Sequence, residues 1–156
     1  MKKQPMKKIL YIDMDNVLVD FRSGIQKLDD QTKEKYDGDL DDVPGIFALM
    51  DPMPLAIQSF EELSNLFDTY ILSTAPWENP SAWSDKLLWV KKYLGELAYK
   101  RLILTHHKDL NRGDFLVDDR PGNGAEDFQG EWIQFGSEEF PDWESVVRYL
   151  RDKSTT

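Results

Sequence analysis

The chain has 156 residues, 40% of them hydrophobic, with 29 acidic side chains against 19 basic ones and a formal charge of −10. That length and hydrophobic content fit one compact domain spanning residues 1–156 and exclude a disordered polymer. The negative excess repels phosphate polymers, so a nucleic acid partner is not expected, and the absence of cysteine excludes disulfides, thiolate metal sites and a cysteine nucleophile.

The apolar runs are a few residues long, far short of the roughly 20 needed to cross a bilayer, so no membrane association is expected. The basic start of the chain, Met1 to Lys8, is followed by only four apolar residues before Asp13, too few for the core of a secretory signal. A cytoplasmic location is the resulting expectation.

In chain order, five short runs rich in Ile, Leu, Val and aromatics read as strands: 8–12, 69–73, 101–105, 114–117 and 131–135. Their near-continuous apolar character implies burial on both faces, hence a parallel sheet covered by helices. Residues 54–67 place Leu55, Ile57, Phe60, Leu63, Leu66 and Phe67 near one stripe. Ser84 is the expected cap of a second helix carrying Leu87, Leu88, Val90, Lys91 and Leu94 and ended at Gly95. Asp142 is the expected cap of a third, over 143–153. The βαβ succession predicts a three-layer, doubly wound, mainly parallel five-stranded α/β fold of the Rossmann type. Residues 23–53 break the rhythm and read as an insertion after the first strand, either a solvated loop with a short helix or a small helical cap over the sheet edge.

Ligands of open α/β sheets bind beyond the carboxyl ends of the strands. There the chain carries Asp13-Met14-Asp15, Ser73-Thr74, Thr105-His106-His107-Lys108 and Asp118-Asp119-Arg120. Each group alone reads equally well as a turn, a helix cap or a solvated charge; their recurrence at four successive strand ends points to a site. Two carboxylates from different strands, with no salt-bridge partner evident between them, repel unless a cation joins them. Magnesium suits an oxygen-rich, thiol-free site. His106 and His107 receive no ligand role, since adjacent side chains on extended backbone diverge. The acidic run 37–42 reads as a solvated face, because it lacks the ligand order of a calcium loop.

These four groups resemble the motifs of the haloacid dehalogenase superfamily, and more closely those of its 5′(3′)-deoxyribonucleotidases. The matching stretches are Asp13-Met14-Asp15-Asn16-Val17-Leu18-Val19-Asp20-Phe21, Ile71-Leu72-Ser73-Thr74-Ala75-Pro76, Leu102 to Lys108, and Leu116-Val117-Asp118-Asp119-Arg120-Pro121, with Trp89 to Gly95 also similar. The resemblance implies a Mg2+-dependent phosphomonoester hydrolase with Asp13 as nucleophile, Asp15 as proton donor and acceptor, and Thr74 and Lys108 holding phosphoryl oxygens. It implies metal ligation by Asp13, Asp118 and Asp119, the last through water, with Asp15 contributing its backbone carbonyl. Asn16 stands where the family usually has Gly, at a tight turn that Asn tolerates in the left-handed region. A nucleoside monophosphate is the expected substrate, with another small phosphorylated metabolite as the alternative. Phe21 and Phe47 are candidates to stack on its base and Arg120 to contact phosphate or base, against core packing for each aromatic. Trp77 and Trp83 are candidates to border the same pocket. A receiver-like phosphoacceptor domain and an inactive nucleotide-binding relative are the rival readings, and a homodimer is left open.

Overall fold

The computed structural model describes residues 6–155; the start of the chain used in the signal-segment reading, residues 1–5, lies outside the described residues. The elements run β1 (Ile9–Ile12), β2 (Val19–Asp20), α1 (Phe21–Gln26), α2 (Asp30–Lys35), β3 (Asp51–Pro52), α3 (Ala56–Leu66), β4 (Asp68–Ser73), α4 (Pro80–Tyr93), β5 (Leu102–Leu104), β6 (Phe115–Asp118), β7 (Glu131–Gln134) and α5 (Trp143–Ser154). Five strands form one parallel sheet in the order β5-β4-β1-β6-β7. Tyr11 pairs with Tyr70 on one side and Leu116 on the other. β1 is therefore central, and the chain winds outward from it in both directions. No helix among the described residues is long and apolar enough to cross a membrane.

Strand alternation divides the core. Leu10, Ile12, Ile71, Val117 and Ile133 face α3, α4 and α5, joining Phe60, Leu63, Trp89, Trp143 and Leu150 in one cluster. Tyr11, Leu72 and Leu116 face the other way, against Ala125 and Phe128. That second face is covered by a short 3-10 turn (Ala125–Asp127) rather than by long helices. The connections 105–114 and 119–130 are short and interrupted by Gly113, Pro121, Gly122 and Gly124, which leaves no room for a helical stripe. The outer layer expected there is accordingly thin.

Two helix expectations are corrected. α4 begins at Pro80, whose fixed φ suits the first helical position, so Ser84 lies inside the helix instead of capping it. The buried face of α4 is Ala82, Lys86, Trp89 and Val90, while Leu87 and Leu88 point outward. The long side chains at 87 and 88 sit about a third of a turn or more from the centre of the stripe that the packed positions define. α5 has the expected cap, with the Asp142 carboxylate accepting from Ser145 N at 2.9 Å.

Between β1 and α3 the chain makes an excursion whose base is closed by the antiparallel pair β2–β3, Val19 opposite Pro52 and Asp20 opposite Asp51. Inside it lie α1, α2 and two 3-10 turns, Leu40–Asp42 and Ile46–Leu49. The excursion does not form a separate core, because Val43, Ile46, Phe47 and Met50 join the main cluster. α4 fastens it: Asn79 Nδ2 donates to the carbonyls of Asp41 and Val43 at 2.9 and 3.0 Å, Ser81 Oγ accepts from Gly45 N, and Trp89 Nε1 donates to Met50 O at 3.0 Å.

Trp143 is 1% exposed and its Nε1 donates to Val17 O at 2.8 Å, joining α5 to the loop after β1. Trp143→Phe removes that donor and strands a buried carbonyl, so a loss of about 1–3 kcal/mol is expected. Urea unfolding with unchanged slope measures it; a loss below about 0.5 kcal/mol would show that the bond contributes nothing.

Candidate active site

The carboxyl ends of β1, β4, β5 and β6 meet at one edge of the sheet. Asp13 N continues the ladder by donating to Val117 O at 2.9 Å, and Thr105 N donates to Ser73 O at 2.9 Å. Residues that are distant in sequence thereby become neighbours. Asp13 and Asp118 are buried, at 5% and 2% exposure. Among the described residues, Asp13, Asp118 and Asp119 are the one group whose carboxylate oxygens lie close enough to share a metal ion, all within 4.8 Å of one another.

The expectation that no salt-bridge partner lies between these carboxylates is not met. Lys108 Nζ sits 2.6 Å from Asp118 Oδ2 and 3.3 Å from Asp13 Oδ1. Its backbone N–H donates to Asn123 O at 2.7 Å. Gly124 makes that approach feasible: its φ is +87°, and a Cβ there would lie 2.9 Å from the Lys108 nitrogen and closer still to Asp109 Oδ1. The lysine was invisible as a partner because loop residues ten positions apart in sequence reveal nothing of their separation in space.

One ammonium does not balance three carboxylates. Burial, reinforced by the charge of Asp13, pushes Asp118 up to about 8 despite Lys108. Burial and Asp13 also raise Asp119. Burial pulls Lys108 down, but Asp13 and Asp118 outweigh it and leave its pKa raised, so the lysine stays charged. Full ionisation of all three carboxyls would leave a negative excess which, on an all-oxygen donor set, a divalent cation matches.

Asp15 stands apart from this group. Its carboxylate faces Lys86, with Nζ at 3.2 Å from each oxygen, and its pKa is raised by burial above the lowering effect of Lys86. Lys86 was missed in the sequence. The signal was present, since position 86 is four residues from both Ala82 and Val90 and hence on the packed stripe of α4. Asn16 has φ +61°, the left-handed turn expected of it. Thr74 borders the site, its Oγ1 donating to Thr105 O at 2.7 Å.

These residues surround a cavity of about 310 Å³, bounded also by Asp41, Trp77, His106 and Arg120. A second cavity of about 350 Å³ adjoins it, sharing Asp15, Asn16, Asp41 and Arg120 and adding Phe21, Gly38 and Leu40. Phe21 is therefore placed where a ligand can reach it. Phe47 is not: it is 1% exposed, packed edge-on against Phe21 and beneath Lys86, so it offers no face to a base and the core-packing alternative holds. Trp77 is exposed at the rim against His106, while Trp83 packs on the same His106 ring. Asp41, read as part of a solvated acidic face, is exposed as expected but also forms part of both cavity walls.

Comparison with known proteins matches residues 39–149 to the family "5′ nucleotidase, deoxy (Pyrimidine), cytosolic type C protein". A protein of Vibrio phage KVP40 named "Putative 5′(3′)-deoxyribonucleotidase" is 60% identical over 152 residues, covering 97% of this chain and 89% of that protein. The chain belongs to the 5′(3′)-deoxyribonucleotidase family. The human 5′(3′)-deoxyribonucleotidase, cytosolic type, is 28% identical over 165 residues, covering 87% of this chain and 77% of that one. The fold is also that of a haloacid dehalogenase-like hydrolase from Streptococcus pneumoniae, with a TM-score of 0.54, 12% identity, and 92% and 90% of the two chains covered. The deoxyribonucleotidase fold thus coincides with the α/β architecture read from the strands.

Asn16→Gly should change stability by less than about 1 kcal/mol, because glycine adopts φ +61° freely. Asn16→Val should cost about 1–3 kcal/mol through backbone strain. Chemical denaturation of the pair checks this, and equal stabilities would contradict the left-handed turn.

Proposed function

We propose that the protein is a Mg2+-dependent phosphomonoester hydrolase that cleaves deoxyribonucleoside monophosphates through an aspartyl-phosphate on Asp13. The observation that carries the reading is the buried Asp13 carboxylate at a 310 Å³ cavity, beside the Lys108 ammonium and within 4.8 Å of two further carboxylates. The activity for which the relatives are named supports the substrate class.

A carboxylate oxygen of Asp13 attacks phosphorus, forming the new P–O bond as the bond to the sugar oxygen breaks. Asp15 gives its proton to the departing oxygen. It then takes a proton from the water that attacks the aspartyl-phosphate, releasing inorganic phosphate and restoring both carboxyl groups. Lys108 binds the phosphoryl oxygens as their charge is redistributed, and Thr74 does so once its hydroxyl turns to them from Thr105 O. Asp13 and Asp118 would hold the metal directly and Asp119 through water; when bound, the ion neutralises phosphoryl oxygen charge as a Lewis acid. The nucleoside would extend into the adjoining cavity, toward Phe21 and Arg120.

Phosphate release from a panel of ribo- and deoxyribonucleoside monophosphates with MgCl2 tests the activity, and no release from any of them would overturn it. Asp13→Asn should abolish turnover while leaving the thermal midpoint within a few degrees of the parent. Retained turnover would remove Asp13 as nucleophile. Metal binding has its own readout. Since a ligand bound only by the folded state adds about 2.7 kcal/mol at a hundredfold excess over Kd, MgCl2 should raise the melting temperature of the parent by several degrees. It should do so much less for Asp118→Asn; equal shifts would contradict ligation by Asp118.

A further inference from the structure

We infer that Lys86 is a positioning residue that holds the Asp15 carboxylate at the leaving-group side of the site; the inference rests on the role proposed for Asp15. Lys86 comes from the middle of α4 and is 0% exposed. An ammonium taken fully out of water is costly unless its charge and its donors are matched. Here they are. Nζ contacts both oxygens of Asp15 at 3.2 Å, donates to Ser73 Oγ at 2.8 Å and Thr74 O at 2.9 Å, and lies 4.6 Å from the centre of the Phe47 ring.

That set uses the three donors of the ammonium. Lys86 borders neither cavity, so it has no donor and no access for a substrate. Its effect on the reaction must pass through Asp15, which borders both cavities. Stability alone does not account for a lysine here, because apolar residues in place of a buried ion pair are often neutral or stabilising. The neighbours on this stripe of α4, Ala82, Trp89 and Val90, are themselves apolar.

The geometry explains what the charge achieves. Contacts from one point to both oxygens restrain the position of the Asp15 carboxylate, on a loop that already turns through the left-handed Asn16. Ser73 and Thr74 tie Nζ to the tip of β4, so Asp15 is referred to the rigid sheet rather than to its own loop. Phe47 below the ammonium ties the same point to the excursion that walls the second cavity.

The test compares kcat/KM for a nucleoside monophosphate and for p-nitrophenyl phosphate in the parent and in Lys86→Met. This parameter covers steps only as far as the aspartyl-phosphate, where a sugar oxygen needs a proton to leave and nitrophenolate does not. A displaced donor should therefore lower kcat/KM about 10- to 100-fold on the nucleotide and less than about 3-fold on the aryl ester. Equal losses on the two esters, or no loss, would overturn the inference. In an Asp15→Asn background the same substitution should add less than about a twofold loss on the nucleotide, whereas multiplying losses would show that Lys86 acts elsewhere. If Lys86→Met does not accumulate as folded protein, Ser73→Ala removes one anchor of Nζ and keeps both charges. The same selective loss is then expected, and an unselective or absent one overturns the inference. Failure of the parent to hydrolyse either ester would instead overturn the proposed hydrolase itself.

Discussion

Negative charge crowded at one edge of the sheet is the constraint to which the rest of the molecule answers. Asp13 and Asp118 are nearly fully buried, Asp119 joins them within 4.8 Å, and Lys108 lies between the first two. Charges this close, partly withdrawn from water, interact far more strongly than on an open surface. Lys108 is therefore held charged, while burial and the charge of Asp13 raise Asp118 and Asp119. Of the four acids, the second ammonium, Lys86, pairs with Asp15. The two lysines divide the four acids into a group open to a metal and one acid held separately.

The sheet topology makes such crowding attainable. In a parallel sheet every strand ends on the same edge, and where the winding reverses, at β1, the loops on either side part and leave a crevice. β1 delivers Asp13 there, with β4 and β6 beside it bringing Thr74 and Asp118. The thin covering on the face of Tyr11 and Leu116 has a part in this. Short connections, one of them folded over Gly124, bring Lys108 back under the β6 tip, which a full helical crossover would carry away.

Much of this was legible in the sequence because it is local. The five strands announce themselves as apolar runs, the polar residues follow each run at once, and the left-handed turn at Asn16 follows from a residue type that tolerates it. What was not legible depends on separation in space. Lys86 falls on the packed stripe of α4, but a lysine there reads as solvent-facing unless its acid is known, and that acid is 71 positions away. Phe47 shows the converse, an aromatic in an irregular acidic segment that looks available yet is buried, because Asn79, Ser81 and Trp89 draw its segment down onto α4. Ser84 failed as a cap for a local reason: Pro80 starts the helix earlier, where Asn79 gives its amide to the excursion and its Oδ1 to the Ser81 hydroxyl instead of to a backbone N–H of the helix end.

A chain with a formal charge of −10 is an unpromising host for an anionic substrate until the distances are considered. At physiological ionic strength, exposed charges are largely screened beyond about 8 Å, so what a phosphate meets inside the cavity depends mainly on the groups lining it. These include Lys108 and Arg120 as well as the carboxylates that the proposed metal would neutralise. At the rim the balance reverses, where Asp41 stands on the wall shared by the two cavities, anchored through its carbonyl by Asn79. On the proposed reading, a monophosphate places its charge against the inner cations and its neutral nucleoside against the acidic rim. A longer phosphate chain would have to leave part of its charge beside Asp41. On that reading the overall charge and the local site would act in one direction, favouring a small ester with its phosphate at the end over polymers that present phosphates all along their length.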